Sequence, residues 1–276
     1  MTSFQLPGET RKWPIDRRTD TGPFDIIGDV HGCFDELVAL FDRLGYEIDP
    51  FEPKGEALIG AAHPGKRRAI FVGDFTDRGP QNLNVLRLVM GMCIAGTALA
   101  VIGNHDDKLR RWIEGRNVQI AHGLERTIKE FGPVSAKFRK NLFLFIDRLP
   151  SHLWLDGGNL VVAHAGLPAE MHGEDSKGAR AFAMYGDTTG ERDNIGFPVR
   201  RDWGRRYSGE ATVVYGHTPM REPEWINRTI CIDQGCAFGG RLTALRWPEK
   251  ELVQVRAAQQ YWTPKKPLGL RADEPA

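Results

Sequence analysis

In the first hundred residues, short apolar runs break repeatedly into glycine-bounded polar turns. Phe24 to Ile27, Ala69 to Val72 and Leu99 to Ile102 have the length of buried strands, and a segment with helical spacing follows each turn. Asp35 to Leu44 places Leu37, Val38, Leu40, Phe41 and Leu44 at helical spacing and stops at Gly45, a C-cap residue. Pro80, suited to the first turn of a helix, opens a second such segment with Leu83, Leu86, Val89 and Met90 on one face, ending near Gly96. The stretch between Gly45 and Gly65 reads as a loop or small hairpin, and residues 105 to 148 as mostly helical. After Ser151 the period shortens toward two. Leu153 to Leu155 and Leu160 to Ala163 flank Asp156-Gly157-Gly158, a hairpin signal, and Val213, Ile230, Leu242 and Val253 mark later strands. The pattern predicts an α/β domain over residues 24–256. Residues 1–23, polar with Arg11, Lys12, Arg17 and Arg18, form an N-terminal arm ordered in part by Trp13; residues 257–276 form a mobile C-terminal tail.

Composition narrows the class without choosing a substrate. The 276 residues are 41% hydrophobic and 26% charged, as in globular proteins, and the formal net charge of +1 leaves nucleic-acid binding to local clusters. Cys33, Cys93, Cys231 and Cys236 form no C-x-x-C pair, and neither a secretory segment nor a membrane-length apolar run is present, so a reduced, cytoplasmic protein is expected. No stable partner is implied.

The chemistry lies in the turns. Gly28-Asp29-Val30-His31-Gly32, Gly73-Asp74-Phe75-Thr76-Asp77-Arg78-Gly79 and Gly103-Asn104-His105-Asp106 each put metal-binding side chains at the carboxyl end of a predicted strand, where open α/β sheets bind ligands. His164 and His217 stand alone behind Leu160-Val161-Val162 and Val213-Val214-Tyr215. Asp29 and His31 are placed to grip one divalent ion, and Asp74 to bridge it to a second held by Asn104, His164 and His217. Mixed oxygen and imidazole donors suit Mn, Fe, Zn or Ni better than Ca, and the lack of nearby thiolates argues against a structural zinc site. A water between two such ions would lose its proton near neutral pH and attack phosphorus in line. His105 is placed to protonate the leaving oxygen, Asp77 to orient its imidazole, and Arg78 to fork onto nonbridging phosphate oxygens.

On these residues the chain resembles the calcineurin-like metallophosphoesterases, in the branch of the phosphoprotein phosphatases and dinucleoside tetraphosphatases. The resemblance implies a four-layer α/β/β/α sandwich of two mixed β-sheets. It carries metal ligation onto Asp29, His31, Asp74, Asn104, His164 and His217, the general-acid role onto His105 and phosphate contact onto Arg78. Two divalent ions, foremost Mn, are the implied cofactors. Further motifs are Gly115-Arg116-Asn117-Val118, His122-Gly123-Leu124, Tyr185-Gly186-Asp187-Thr188-Thr189-Gly190, Tyr215-Gly216-His217-Thr218-Pro219 and the run Cys231 to Leu245. These resemble the phosphatase module of bacterial polynucleotide kinase-phosphatase, which acts on 3′-phosphate and 2′,3′-cyclic phosphate ends of RNA. That family implies an active-site place for Asp233, counted here with the metal ligands. Gln234 departs from the family's usual threonine.

RNA ends are therefore the first substrate expected. A dinucleoside polyphosphate or a phosphoprotein is the alternative within the enzyme class, and a catalytically idle phosphate- or RNA-binding module is the alternative outside it. Basic residues give the remaining hints. Lys108, Arg110, Arg111 and Arg116 follow the Asn104 block, and Arg200-Arg201-Asp202-Trp203-Gly204-Arg205-Arg206 packs four arginines around an aromatic. Asn104, Arg205 and Arg206 are expected to contact substrate, with Trp203 available to stack a base.

Overall fold

The computed structural model describes residues 12–194, 196–266, 268 and 269. The expectations for Arg11, for the rest of residues 1–11, for Pro267 and for residues 270–276 fall outside the described residues. In chain order the strands are β1 (Asp16–Arg17), β2 (Phe24–Ile27), β3 (Glu47–Ile48), β4 (Ala61–Ala62), β5 (Arg68–Phe71), β6 (Ala98–Ala100), β7 (His152–Leu155), β8 (Leu160–Ala163), β9 (Thr188–Arg192), β10 (Pro198–Arg200), β11 (Thr212–Tyr215), β12 (Trp225–Ile226), β13 (Thr229–Cys231), β14 (Asp233–Gln234), β15 (Arg241–Trp247) and β16 (Glu251–Arg256). The helices are α1 (Phe34–Leu44), α2 (Asn82–Ala95), α3 (Asn104–Ile113), α4 (Leu124–Glu130), α5 (Ala136–Arg148) and α6 (Lys177–Tyr185).

Two mixed sheets form the centre. One has the order β1-β7-β8-β11-β13-β12; the other runs β14-β15-β2-β5-β6, with β16 also paired to β15. In the second sheet β2, β5 and β6 are parallel, whereas β15 runs antiparallel to β2 and β16. Side chains alternate across each strand, so neighbouring residues serve different layers. Ile26, Ile70, Val162 and Val214 fill the space between the sheets, while Ile27 and Phe71 turn outward to α1, α2 and α5. Val161 and Val213 turn the other way, toward Ala179 and Ala183 of α6. The result is the expected α/β/β/α sandwich.

Local signals acted as anticipated at several boundaries. Gly45, at φ 88°, closes α1, and Gly96, at φ 77°, closes α2. Helix α2 starts two residues beyond Pro80 because Gln81 is not helical; the Glu130 carboxylate accepts from Asn82 N at 3.1 Å and Leu83 N at 2.9 Å, capping it from another helix. The Asp156–Gly158 turn joins the antiparallel pair β7–β8.

The described residues toward either terminus are more embedded than the sequence suggests. Trp13 meets Phe145 edge-on at 5.7 Å, and β1 extends a sheet in parallel with β7. At the other end residues 257–262, expected as part of a mobile tail, make hydrogen bonds to the domain. Ala257 N donates to Gly240 O, Tyr261 and Trp262 both donate to Ala237 O, and the Tyr261 hydroxyl donates to Glu36 at 2.7 Å. These bonds hold polar backbone that composition alone marks as loose.

Candidate active site

The carboxyl ends of β2, β5, β6, β8 and β11 point to one place. Asp29 and His31 follow β2, Asp74 follows β5, Asn104 and His105 open α3 after β6, His164 follows β8 and His217 follows β11. Asp233, on β14, lies beside Asp29 closely enough that its charge lifts the Asp29 carboxyl. The turns that carry these residues are strained. His31 (φ 43°), Asp74 (52°), Asp77 (76°), Arg78 (67°) and His217 (71°) make up half of the ten described non-glycine residues in the left-handed region. Such backbone costs of order 1–3 kcal/mol per residue, and its concentration here marks a site the fold over-determines. Glycines allow close approach. A Cβ on Gly216 would stand 1.9 Å from Asp29 Oδ1, and one on Gly103 would stand 2.2 Å from Asp74 Oδ1.

Asp74 is central and almost fully buried. Its Oδ2 lies 3.4 Å from His31 Nε2 and 4.0 Å from His105 Nε2; its Oδ1 lies 3.4 Å from His164 Nε2 and accepts from His105 N at 2.9 Å. His164 Nε2 is also 3.0 Å from Asn104 Oδ1 and 3.0 Å from His217 Nδ1. Two imidazoles have their tautomers set by backbone. His31 Nδ1 donates to Thr76 O at 2.8 Å and His164 Nδ1 to Val72 O at 3.0 Å, so the Nε2 lone pairs of both face Asp74. Asp29 accepts from His217 N at 3.1 Å.

Electrostatics make this a site in want of cations. Burial, then the charges of Asp233 and Asp74, push the Asp29 carboxyl well above its ordinary range, and burial followed by Asp106 does the same to Asp74. Asp233 is raised to about 6, again chiefly by burial. The histidines move oppositely: burial lowers His164 to about 3 and, with Arg78 or a neighbouring imidazole, holds His31, His105 and His217 well below 6.5. Crowded carboxylates beside neutral imidazoles with inward lone pairs are a donor set that fits divalent metal. Two triads have ligating atoms within 4.8 Å of one another, His31–Asp74–His105 and Asp74–His164–His217, and they share Asp74.

Beside this set, His105 Nδ1 donates to Asp77 Oδ2 at 2.6 Å, and Asp77 Oδ1 accepts from Thr127 Oγ1 at 2.5 Å. Asp77 is fully buried and its carboxyl is raised by burial to about 6. Arg78 donates to His31 Nε2 at 2.6 Å and to His105 Nε2 at 3.0 Å, bringing positive charge to the lone pairs.

The structure does not bring the other arginine candidates to this centre. Arg205 pairs with Asp202 at 3.0 Å, Arg206 pairs with Asp187, and neither lines the cavities beside His217. Trp203 is largely buried against Phe182, Tyr207 and Tyr215, with its ring over Gly166, and only an edge of it contributes to the cavity beside His217. Lys108 donates to Ala121 O, while Arg110 and Arg116 pair with Asp107 and Glu114.

Two residues outside the expected set matter instead. Arg200 donates through Nη2 to His217 Nε2 at 2.8 Å; only its place in an arginine-rich run pointed to it. Asp106 accepts from Gly103 N, Asp74 N and Phe75 N at 2.8–3.0 Å, tying two of the ligand-bearing turns together. It stands in the Asn104 block, yet sequence alone gives it no separate role.

This constellation defines a class. Residues 22–230 match the family model of the calcineurin-like phosphoesterases, and the chain belongs to that family: it is a metallophosphoesterase, a hydrolase of phosphoester bonds. It is 45% identical over 242 residues to the asymmetrical bis(5′-nucleosyl)-tetraphosphatase PrpE of Anoxybacillus flavithermus, covering 86% of this chain and 96% of that protein. It is 43% identical over 242 residues to the PrpE of Bacillus subtilis, with the same coverage. Among solved structures it is similar to a candidate diadenosine tetraphosphatase (TM-score 0.60, 25% identity, 88% of this chain and 97% of that one). A protein serine/threonine phosphatase from Saccharomyces cerevisiae shares the fold (TM-score 0.57, 16% identity, 90% and 84%). The RNA-end substrate suggested by the later motifs finds no support in these relatives, whose named activity is on bis(5′-nucleosyl) tetraphosphates. No helix among the described residues is long and apolar enough to cross a membrane.

Proposed function

We propose that the protein hydrolyses dinucleoside tetraphosphates asymmetrically, with two divalent metal ions, Mn foremost, held by Asp29, His31, Asp74, Asn104, His164, His217 and Asp233. The observation that carries this reading is identity of 43–47% to tetraphosphatases over nearly their whole length, the metal-donor turns lying within the matched region. When bound, the ions supply Lewis acidity, making water a strong nucleophile at neutral pH and neutralising charge on the phosphoryl group. The protein's own residues do the rest. Asp74 has one carboxylate oxygen 3.4 Å from His31 and the other 3.4 Å from His164, so its charge would help to hold an ion on either side. His105, held through Nδ1 by Asp77, has Nε2 facing the site, and a proton taken up there from solvent before the step would pass to the departing oxygen. Arg78 and Arg200, whose forks reach His31, His105 and His217, are placed to take nonbridging phosphate oxygens. Water adds to one phosphorus as the bridging P–O bond breaks; an unequal split of the four phosphates leaves a nucleoside triphosphate and a nucleoside monophosphate.

The test compares kcat/KM of the Mn-loaded protein on diadenosine tetraphosphate, an oligoribonucleotide carrying a 3′-phosphate or 2′,3′-cyclic phosphate, and a phosphopeptide. Diadenosine tetraphosphate should lead by at least an order of magnitude. Faster processing of the RNA end would overturn the substrate while leaving the metal chemistry in place.

A further inference from the structure

A groove of about 540 Å³ opens between α6 and the β9–β10 hairpin, a size typical of small-molecule sites. Phe182, Tyr185, Gly186, Pro198 and Arg200 contribute to its lining. Tyr185 is the aromatic that stands out. It is 40% exposed, whereas Trp203 on the neighbouring segment is buried at 8%. Gly186, at φ 74° and ψ −169°, follows it in a region that essentially only glycine occupies, so the chain turns sharply at the end of α6 and leaves the ring at the groove.

The groove starts where the donor set ends. Arg200 donates through Nε to the Tyr185 carbonyl at 3.1 Å and through Nη2 to His217 Nε2 at 2.8 Å, so one guanidinium spans from the aromatic to the donor triad. Burial, then the Asp107 carboxylate and to a smaller extent Asp74, raise the Tyr185 phenol above its ordinary value, which places the ring within electrostatic reach of the donor set. A partly exposed aromatic face, a wall that mixes Phe182 and Pro198 with Asp187, Thr188 and Glu191, and a cation directed at the phosphate position match a nucleoside 5′-phosphate: base on the ring, polar groups for the sugar, phosphate toward Arg200.

We infer that this groove is the nucleoside subsite, with Tyr185 as the platform for one base of the substrate. The inference rests on the dinucleoside tetraphosphate reading and goes further by naming the wall that recognises the nucleoside. Tyr207 is buried in the α6 layer and cannot serve, and Tyr215, partly buried, lines the neighbouring cavity beside His217 and not this groove.

The experiment measures inhibition of p-nitrophenyl phosphate hydrolysis by ATP and by inorganic tripolyphosphate in wild type, Tyr185→Leu and Tyr185→Phe. The ratio of the two inhibition constants isolates the nucleoside. Wild type and Tyr185→Phe should prefer ATP by about tenfold, within the range of one base–aromatic stack. Tyr185→Leu should bring that ratio close to one and raise KM for diadenosine tetraphosphate by a similar factor. A wild type with no preference for ATP, or a Tyr185→Leu variant that keeps it, overturns the inference. If diadenosine tetraphosphate is not cleaved, the proposed function fails, but the inhibition ratio still decides whether the groove binds a nucleoside.

Discussion

The two sides of the cleft around Asp74 are held in opposite ways. On the side of β2, β5 and β6, the carboxylates and imidazoles are buried, their backbone is strained, and hydrogen bonds accepted by Thr76 O and the Asp77 and Asp106 carboxylates fix the turns or rings. On the side of β9, β10 and the segment to Arg206, arginines and aspartates pair at the surface, with Arg205 and Arg206 side chains about 60% exposed. The first side is preorganised, which suits charge stabilisation. The second is polar and more exposed, which suits a variable part of a substrate. Substitutions on the two sides should therefore differ in size and kind.

The largest effect belongs to the buried side. Asp74→Asn keeps the shape of the side chain but removes the charge shared by both donor triads. Loss of several kcal/mol of transition-state stabilisation predicts a fall of about 10³-fold or more in kcat with Mn present. Circular dichroism checks that the fold survives; near-normal turnover would show that Asp74 serves neither ion.

Next comes His105→Ala, whose damage should follow the basicity of the leaving group. An alkyl phosphate should lose about 10²–10⁴-fold in kcat, and p-nitrophenyl phosphate much less, since its leaving oxygen needs little protonation. Equal losses on both would remove His105 from the proton path.

Thermal unfolding gives a smaller effect with a defined sign. Asp233 has its folded value raised to about 6 from 3.8, so its contribution to metal-free stability is present below 3.8 and is lost as pH rises through 6. His164 is lowered to about 3 from 6.5, so its contribution is full above 6.5 and falls away as pH drops toward 3. A cation needs the carboxylate deprotonated and the imidazole neutral. The Tm increase on adding Mn should therefore be larger at pH 7.5 than at pH 5, by calorimetry or dye-based melting. An increase independent of pH would place the ion elsewhere.

The smallest effect sharpens the comparison from the other side. The Arg205→Ala, Arg206→Ala double variant should stay within about twofold of wild type in KM for diadenosine tetraphosphate and in stability, because exposed ion pairs contribute little. A tenfold rise in KM would bring the Arg205–Arg206 turn into the substrate path.

The same contrast explains what could be read from sequence. The turns after β2, β5 and β6 need glycines, left-handed backbone and polar side chains at fixed offsets, so they stand out against the apolar strands before them. The α/β class followed from those strands, and the four-layer arrangement only from the family their turns resemble. Helix α6 and the β9–β10 hairpin left only the Tyr185–Gly190 motif and no periodic pattern: Thr188 to Arg192 is mostly exposed and lacks alternating apolar residues. Which arginine of the Arg200–Arg206 run faces inward is also a tertiary fact. Asp202 and Asp187 engage Arg205 and Arg206, leaving Arg200 to reach His217. Trp203 looked available beside four arginines, but the absence of a side chain on Gly166 lets its ring pack inward.

The central claim is that Asp74 stands between two cation sites, and anomalous diffraction from Mn-loaded crystals tests it most directly. The account predicts two Mn peaks about 3.5–4 Å apart, one on each side of the Asp74 carboxylate, the first toward Asp29 and His31 and the second toward Asn104, His164 and His217. A single peak, or two peaks of which neither contacts Asp74, would contradict it.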